Sequence, residues 1–194
     1  MIAALQKRWL VVLAAVVALT QIALLGSMIW SRAAILRNGA EIVLEVRPVD
    51  PRDLLRGDYV TISYNISALP RELFGGAAQE DYSGPYPVFV RLKADDSGIW
   101  QPVSAGFDAP PASPPAPGEI DLRGTATYFP PGEAPVPVDY GIERFYLPEG
   151  QGRPIEEGIG TRPFRMKVAV ARDGTPQIKS FHDGDALIYE EPLY

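Results

Sequence analysis

The feature that most constrains this chain is an apolar run near its start. Residues 9–30, WLVVLAAVVALTQIALLGSMIW, contain no charged side chain. A helix of that length covers the hydrocarbon core of a bilayer, which is about 30 Å thick. Trp9 and Trp30 stand at the two ends, where amphipathic aromatic rings favour the membrane interface. The run predicts one membrane-spanning helix over 9–30, preceded by a short tail over 1–8.

A cleaved signal peptide is the alternative explanation of this run. Its apolar region usually has about 7–15 residues and ends in a small-x-small cleavage site, and the chain has neither feature. A signal-anchor is therefore favoured. Lys7 and Arg8 precede the run and Arg32 and Arg37 follow it, so the charge asymmetry is weak. Because a short tail stays easily in the cytoplasm while a long domain translocates, we expect the N-terminus inside and the domain outside.

Charge and cysteine content exclude several classes of function. Lys7 and Arg8 are two of 18 basic residues, and all 24 acidic residues follow the apolar run, so 16 basic against 24 acidic side chains give that part a charge of about −8. An acidic domain of this kind is not expected to bind nucleic acid. The absence of cysteine excludes disulfides, thiol catalysis and cysteine-based metal sites.

The rest of the chain has the pattern of a β protein. After a juxtamembrane linker over 31–40, apolar residues recur at every second position in short runs separated by Gly, Pro, Asn or Asp, which is typical of half-buried strands. The pattern predicts a mainly β domain over 41–194, built as a β-sandwich or a barrel-like sheet. About nine strands are predicted, at 41–47, 58–66, 87–93, 99–105, 119–129, 141–147, 164–172, 177–181 and 186–189.

Turn-forming residues separate these runs. Asp and Gly lie together in ADDSG at 94–98, RDGTP at 172–176 and HDGDA at 182–186, which indicates hairpins at all three places. The segment 108–118, DAPPASPPAPG, is too rich in proline to form a regular ladder, because proline has no N–H group. It is predicted to be a stiff, exposed loop.

One charged turn leads into a strand with strict alternation, in DPRDLLRGDYVTISYNIS. Counting from the turn, alternate residues from Val60 to Ile66 are apolar, and Ile62 and Tyr64 should face the core. Gly57 and Asp58 lie at the start of the strand. A glycine there can adopt a positive φ, and a short carboxylate can accept hydrogen bonds from the backbone amides of the turn. These positions are interpreted as structural, whereas Tyr59 on the other face is a candidate for surface binding.

Residues 57–64, GDYVTISY, resemble the signature of the GDYXXLXY family, with Ile62 where the pattern has Leu. The preceding VDPRDLLR and the later YGIERFYLPEGQG at 140–152 are similar to that family's other characteristic stretches. The resemblance implies a small, membrane-anchored bacterial protein, found beside or fused to multi-spanning membrane proteins and without an assigned reaction. Together with the expected topology, it implies a location in the bacterial inner membrane, with the domain in the periplasm. The chain departs from the family in its proline-rich insert and in the glycine- and proline-broken segment 150–163.

A second resemblance concerns type I signal peptidases. The stretch LLRGDYV is similar to the strand that opens after their nucleophile, where a serine lies eight residues before the glycine. Val49 occupies that position here and has no nucleophilic oxygen, and neither Lys93 nor Lys167 lies in a sequence that marks a catalytic base. The chain would at most be an inactive relative of that fold.

Few other residues suggest chemistry. His182 is the only histidine, so a His-rich zinc site is excluded, and the neighbouring Asp183 and Asp185 lack the remaining spacing of a calcium loop. No metal or cofactor is expected. The carboxylates Asp50, Asp53 and Asp58 keep an envelope hydrolase open as an alternative.

The candidate binding residues are Tyr59, Arg144, Tyr146 and Glu149. Tyrosine and arginine are favoured at interface hot spots. Arg144 directly precedes the stretch FYLPEG at 145–150, and Tyr146 and Glu149 lie within it. The aromatic residues there fit equally well as core and rim positions of a strand. The sequence therefore favours a membrane-anchored extracytoplasmic binding or accessory module, partnered with a multi-spanning membrane protein, over an enzyme.

Overall fold

The structure is a computed structural model. It describes residues 2–47, 59–75, 83–130, 132–146, 158 and 161–192. Within these ranges it contains one long helix, one short 3-10 helix and twelve strands.

Helix α1, Ile2–Asn38, contains the apolar run and extends beyond it at both ends. Its segment Trp9–Asn38 is long and apolar enough to cross a membrane. The large apolar side chains from Trp9 to Trp30 are exposed, as they must be if lipid surrounds them. The segment 31–40, expected as a juxtamembrane linker, is helical through Asn38.

The end of α1 is packed against the β domain. Ala33 and Leu36 are buried, and the helix contacts the strands that contain residues 164–170 and 176–183. Gly39 follows the helix, and its N–H donates to the carbonyl of Ile35 at 2.8 Å. A Cβ at Gly39 would lie 2.6 Å from that carbonyl oxygen and 3.0 Å from the carbonyl oxygen of Val170. The helix and the first strand therefore meet at a tight joint of one residue.

The strands form two five-stranded sheets and one two-stranded ladder, and every pairing is antiparallel. The first sheet has the order β12-β11-β10-β1-β3, the second has the order β4-β8-β7-β5-β6, and β2 pairs with β9. The bounds are β1 Ala40–Arg47, β2 Tyr59–Thr61, β3 Ser63–Tyr64, β4 Ala68–Leu69, β5 Ser83–Ala94, β6 Trp100–Phe107, β7 Glu119–Tyr128, β8 Val136–Asp139, β9 Arg144–Tyr146, β10 Phe164–Val170, β11 Pro176–Asp183 and β12 Ala186–Glu190, with the 3-10 helix at Arg71–Phe74.

The predicted fold class is confirmed, since the chain is mainly β and its two sheets form a sandwich-like domain that does not close into a barrel. Each of the nine predicted strand runs contains a strand, and the run 58–66 is divided into β2 and β3. Strands β4 and β8 were not predicted. The three hairpin turns are present, because they join β5 to β6, β10 to β11 and β11 to β12.

One hydrophobic core lies between the sheets. Alternate residues of the central strands are fully buried, which is the burial that drives a sandwich to form. The first sheet contributes Ile42, Leu44, Met166 and Val168, and the second contributes Val88, Val90, Leu92 and Leu122.

The proline-rich segment 108–118 contains no strand, and it is held by a buried cation. Arg91 in β5 is 4% exposed and binds both carboxylate oxygens of Asp121, at 2.7 and 2.9 Å. Its Nη1 also donates to the carbonyl oxygen of Ser113 at 2.7 Å. A paired and hydrogen-bonded arginine is the usual form in which this charge is buried. The loop is therefore attached to the second sheet in its middle as well as at its ends.

In the alternating stretch 60–66, the side chains that the structure describes are alternately buried and more exposed, as the sequence predicts. Ile62 and Tyr64 are each 2% exposed and Ile66 is fully buried, whereas Thr61 is exposed. The chain changes partner at Ile62, because β2 pairs with β9 and β3 pairs with β1. Gly57 and Asp58 lie outside the described residues.

This parity predicts opposite results for two adjacent substitutions. Ile62→Asp should destabilise the domain by about 3–5 kcal/mol, because it places an unpaired carboxylate in the core. Thr61→Asp should change the free energy of unfolding by less than about 0.5 kcal/mol. Urea unfolding of both full-length variants in the same detergent measures the difference. Equal midpoints for the two variants would show that the register is wrong.

Candidate functional site

The β2–β9 ladder brings together two stretches that are far apart in the sequence. Tyr59 pairs with Tyr146, Val60 with Phe145, and Thr61 with Arg144. The N–H of Ile62 extends the ladder by donating to the carbonyl of Glu143 at 2.9 Å. Thr61 and Arg144 are exposed and Phe145 is 3% exposed, so one face of the ladder looks outward and the other faces the core.

Three of the four candidate binding residues thus lie on this ladder. Arg144 is exposed, and alternation places positions 59 and 146 on the same face as Thr61 and Arg144. The structure describes Tyr59 and Tyr146 through their backbone, so exposure of their rings stays a prediction. Glu149 lies outside the described residues. We call the face of the ladder that bears Thr61 and Arg144 the ladder face.

Two buried tyrosines hold the segments next to the ladder. The hydroxyl of Tyr64, in β3, donates to the carbonyl of Ile142 at 2.6 Å. The hydroxyl of Tyr140, which follows β8, donates to the carbonyl of Ile66 at 2.8 Å. Burial raises the pKa of both phenols well above their ordinary value, and the charge of Glu143 raises it further. Both side chains therefore remain neutral hydrogen-bond donors.

Glu143 is the most perturbed carboxyl group of this region. Its Oε1 accepts a hydrogen bond from the N–H of Tyr140 at 2.7 Å, while Oε2 is buried and no donor within the described chain reaches it. Burial raises the pKa of Glu143 to about 7; the Tyr140 N–H acts in the opposite direction, and the nearby Asp139 carboxyl raises it again. The Asp139 carboxyl thus lies close enough to favour the protonated form of Glu143.

A shallow groove of about 520 Å³ lies beside this pair. Asp139 and Tyr140 line it together with Arg123, Thr125, Thr127 and Thr175. Gly124 forms part of its wall, where a Cβ would lie 2.6 Å from Val138 Cγ1 and 2.9 Å from Tyr140 Cδ1. Glu143 is not among the described residues that line the groove. Glu143 is held by the N–H of Tyr140, in the segment 139–143 that borders the groove.

The structure contains a contact between Ser180 and His182 that the sequence did not predict. Ser180 Oγ lies 2.8 Å from His182 Nε2, and burial together with the charge of Lys167 lowers the pKa of the imidazole. Ser180 is only 4% exposed, and no carboxylate in the described part of the chain hydrogen-bonds to the other ring nitrogen. A catalytic serine needs access to substrate and an oriented base. The contact is therefore assigned to the packing of β11.

The other residues considered for metal binding or catalysis do not form a site within the part of the chain that the structure describes. Asp183 forms an ion pair with Arg162, and the described residues contain no cluster of three or more potential metal ligands. Asp50, Asp53 and Asp58 lie outside the described residues, so the hydrolase hypothesis stays a prediction.

The raised pKa of Glu143 predicts a specific pH dependence. Its ordinary pKa is 4.5 and its value in the folded protein is about 7, so the folded state holds the proton more tightly than the unfolded state. This contribution to stability is complete below pH 4.5 and is lost as the pH rises through 7. The loss should be about 1–2 kcal/mol, less than the full shift implies because the side chain is partly exposed.

Glu143→Gln should remove this fall in stability, and Glu72→Gln, at an exposed position, should retain it. Urea midpoints at pH 5 and pH 7.5 for the two variants and the original chain provide the measurement. A Glu143→Gln variant that loses as much stability as the original chain would contradict the assignment.

The model of the GDYXXLXY protein family matches residues 21–181, a range that includes both strands of the ladder, Tyr64, Tyr140 and Glu143. No curated protein and no solved structure matches the chain. The match covers most of the sequence and confirms the resemblance seen in GDYVTISY, and the chain therefore belongs to the GDYXXLXY family.

Proposed function

We propose that this protein is a membrane-anchored binding or accessory module whose ladder face docks onto a multi-spanning membrane protein. The observation that carries the proposal is the β2–β9 pairing, which joins the GDYVTISY strand to the YGIERFY stretch. Both stretches meet on one outward face that includes an exposed arginine. Arginine and tyrosine at the centre of a surface are the side chains on which interfaces most depend.

The buried side of the ladder is suited to support such a surface. Phe145 packs against Phe181 and Tyr189 with ring centroids 5.4 and 5.1 Å apart, and the hydrogen bonds of Tyr64 and Tyr140 fix the adjacent segments. A surface held in one conformation loses little entropy on binding. The geometry thus favours recognition of another protein by a rigid patch.

The helix supports the anchored part of the proposal. Trp9–Asn38 is apolar enough to cross a bilayer, and its end packs on the same domain that bears the ladder face. We place the N-terminus in the cytoplasm and the acidic domain in the periplasm of a bacterium, at the inner membrane. A domain held at the membrane surface meets membrane proteins in two dimensions, which raises its effective concentration near them.

The proposed orientation predicts the behaviour of reporter fusions. Alkaline phosphatase fused after Tyr194 should be active in a bacterial host, because the enzyme requires the oxidising periplasm for its disulfides. A fluorescent reporter that matures only in the cytoplasm should remain dark at the same position. An inactive phosphatase beside a bright cytoplasmic reporter would reverse the orientation.

The docking surface predicts the effect of charge reversal. A photo-crosslinking amino acid at Thr61, which is exposed beside Arg144, should link the full-length protein to one multi-spanning membrane protein in intact cells. Arg144→Glu should reduce the linked product by about tenfold or more, since a reversed charge in an interface centre costs several kcal/mol. Arg172→Glu, an equal reversal at an exposed turn, should leave it unchanged.

Two results would contradict this proposal. The first is that the protein yields no linked membrane protein although it is folded and inserted. The second is that both charge reversals reduce linking equally, because that would indicate a general electrostatic effect. Loss of a hydrolytic activity in Asp53→Asn or Asp58→Asn, in a protein that links to no partner, would favour the alternative of an envelope hydrolase.

A further inference from the structure

Among the hydroxyl and amide side chains of the apolar run, Gln21 has no hydrogen-bond partner within the part of the chain that the structure describes. Thr20 donates to the carbonyl of Val16 at 2.9 Å, and Ser27 donates to the carbonyl of Leu24 at 2.7 Å, so these hydroxyls are satisfied by their own helix. Gln21 forms no such bond within the described chain and is exposed. Its carboxamide can donate two hydrogen bonds and accept two.

At the depth of Gln21 in a bilayer, an unpaired carboxamide is costly. Along the helix axis Gln21 lies about 18 Å from Trp9 and about 14 Å from Trp30, at a rise of 1.5 Å per residue. In a bilayer core about 30 Å thick, this is close to the midplane, where neither water nor lipid headgroups reach an unpaired amide. Polar side chains at that depth are usually paired across a helix–helix interface.

We propose that Gln21 pairs with Gln21 of a second copy of this chain, in a parallel dimer of α1. The inference rests on the membrane anchoring of the proposed function. Primary amides are self-complementary, because each provides both a donor and an acceptor. Every copy inserts in the same orientation, so the two carboxamides lie at the same depth without further adjustment.

The neighbours of Gln21 permit two helices to approach closely. At about 100° per residue, Ala14 lies about 20° and Ala18 about 60° from Gln21 around the helix. Small residues on the same face as a polar one let helix backbones come near enough for an interhelical hydrogen bond. Ala23 lies about 160° from Gln21, on the opposite side.

The position of the β domain is also compatible with a two-fold axis at Gln21. Leu36 and Ala33, which are buried against the domain, lie about 60° and 120° around the helix from Gln21. The domain thus stands beside the proposed contact face. A two-fold axis then places the two domains on opposite sides of the helix pair.

Cysteine crosslinking tests the dimer directly, because the chain contains no cysteine of its own. The full-length Ala14→Cys protein, oxidised with copper phenanthroline in native membranes, should form a dimer. Ala23→Cys is the matched control and should give at most about a tenth of that yield. Equal crosslinking at the two positions, or none at Ala14→Cys, would overturn the proposal, as would an Ala14→Cys product with only a different membrane protein.

The role of the amide is tested in the Ala14→Cys background. Gln21→Leu should lower the dimer yield by about fivefold or more, whereas Gln21→Asn should retain most of it. Thr20→Val should have no effect, because that hydroxyl is satisfied within its own helix. An unchanged yield in Gln21→Leu would refute the pairing.

Alkaline carbonate extraction of the same membranes separates this inference from the proposed function. Release of the protein would show that α1 is not an anchor, which would overturn the anchoring and the dimer together. Retention of the protein without Ala14→Cys crosslinking would overturn the dimer alone.

Discussion

Two reciprocal hydrogen bonds from buried tyrosines connect the parts of this domain. Tyr64 belongs to the first sheet and donates to Ile142, which lies between the second sheet and the ladder. Tyr140 follows a strand of the second sheet and donates to Ile66, which follows a strand of the first. A buried carbonyl that loses its donor costs about 1–3 kcal/mol, so each bond penalises movement of one sheet relative to the other. The position of the ladder depends on both.

Glu143 extends this arrangement toward the surface. It accepts from the N–H of Tyr140 and precedes Arg144, so a single residue joins the buried tyrosines to the exposed ladder face. Its proton affinity is set by burial and by Asp139, and either a neutral or a charged form is accessible near neutral pH. Two consecutive residues thus carry the buried carboxyl oxygen of this region and the exposed guanidinium of the ladder face.

The sequence predicted most of the local structure, because local structure leaves a local pattern. Alternation placed Ile62 and Tyr64 in the core, and Asp–Gly turns located three hairpins. The division of that strand at Ile62 was not predictable, since it depends on a bond to Glu143 about eighty residues away. Strand β8 was missed because Pro137 lies within it, and β4 because it has only two residues.

The end of α1, the placement of the candidate binding residues and the pKa of Glu143 depend on tertiary contacts, which a local sequence pattern does not encode. Arg32 ended the uncharged run, but a charge does not end a helix, and α1 continues until the packed joint at Gly39. Tyr59, Arg144 and Tyr146 were each candidates by residue type, whereas their placement on one ladder follows from strand pairing. The raised pKa of Glu143 could not be predicted from the sequence, because it depends on burial that the fold creates. The unpaired amide of Gln21 could be recognised only from the structure, in which Thr20 and Ser27 hydrogen-bond to their own helix.

The joint at Gly39 has a mechanical consequence. Ala33 and Leu36 are buried in the domain and one residue separates helix from strand, so little chain is left at the joint to absorb a change of angle between α1 and the sheets. Membrane helices commonly tilt by about 20° to match the thickness of the surrounding bilayer. For an α1 that spans a bilayer, a change of tilt would therefore be passed on to the β domain, and the orientation of the ladder face would depend on the thickness of that bilayer.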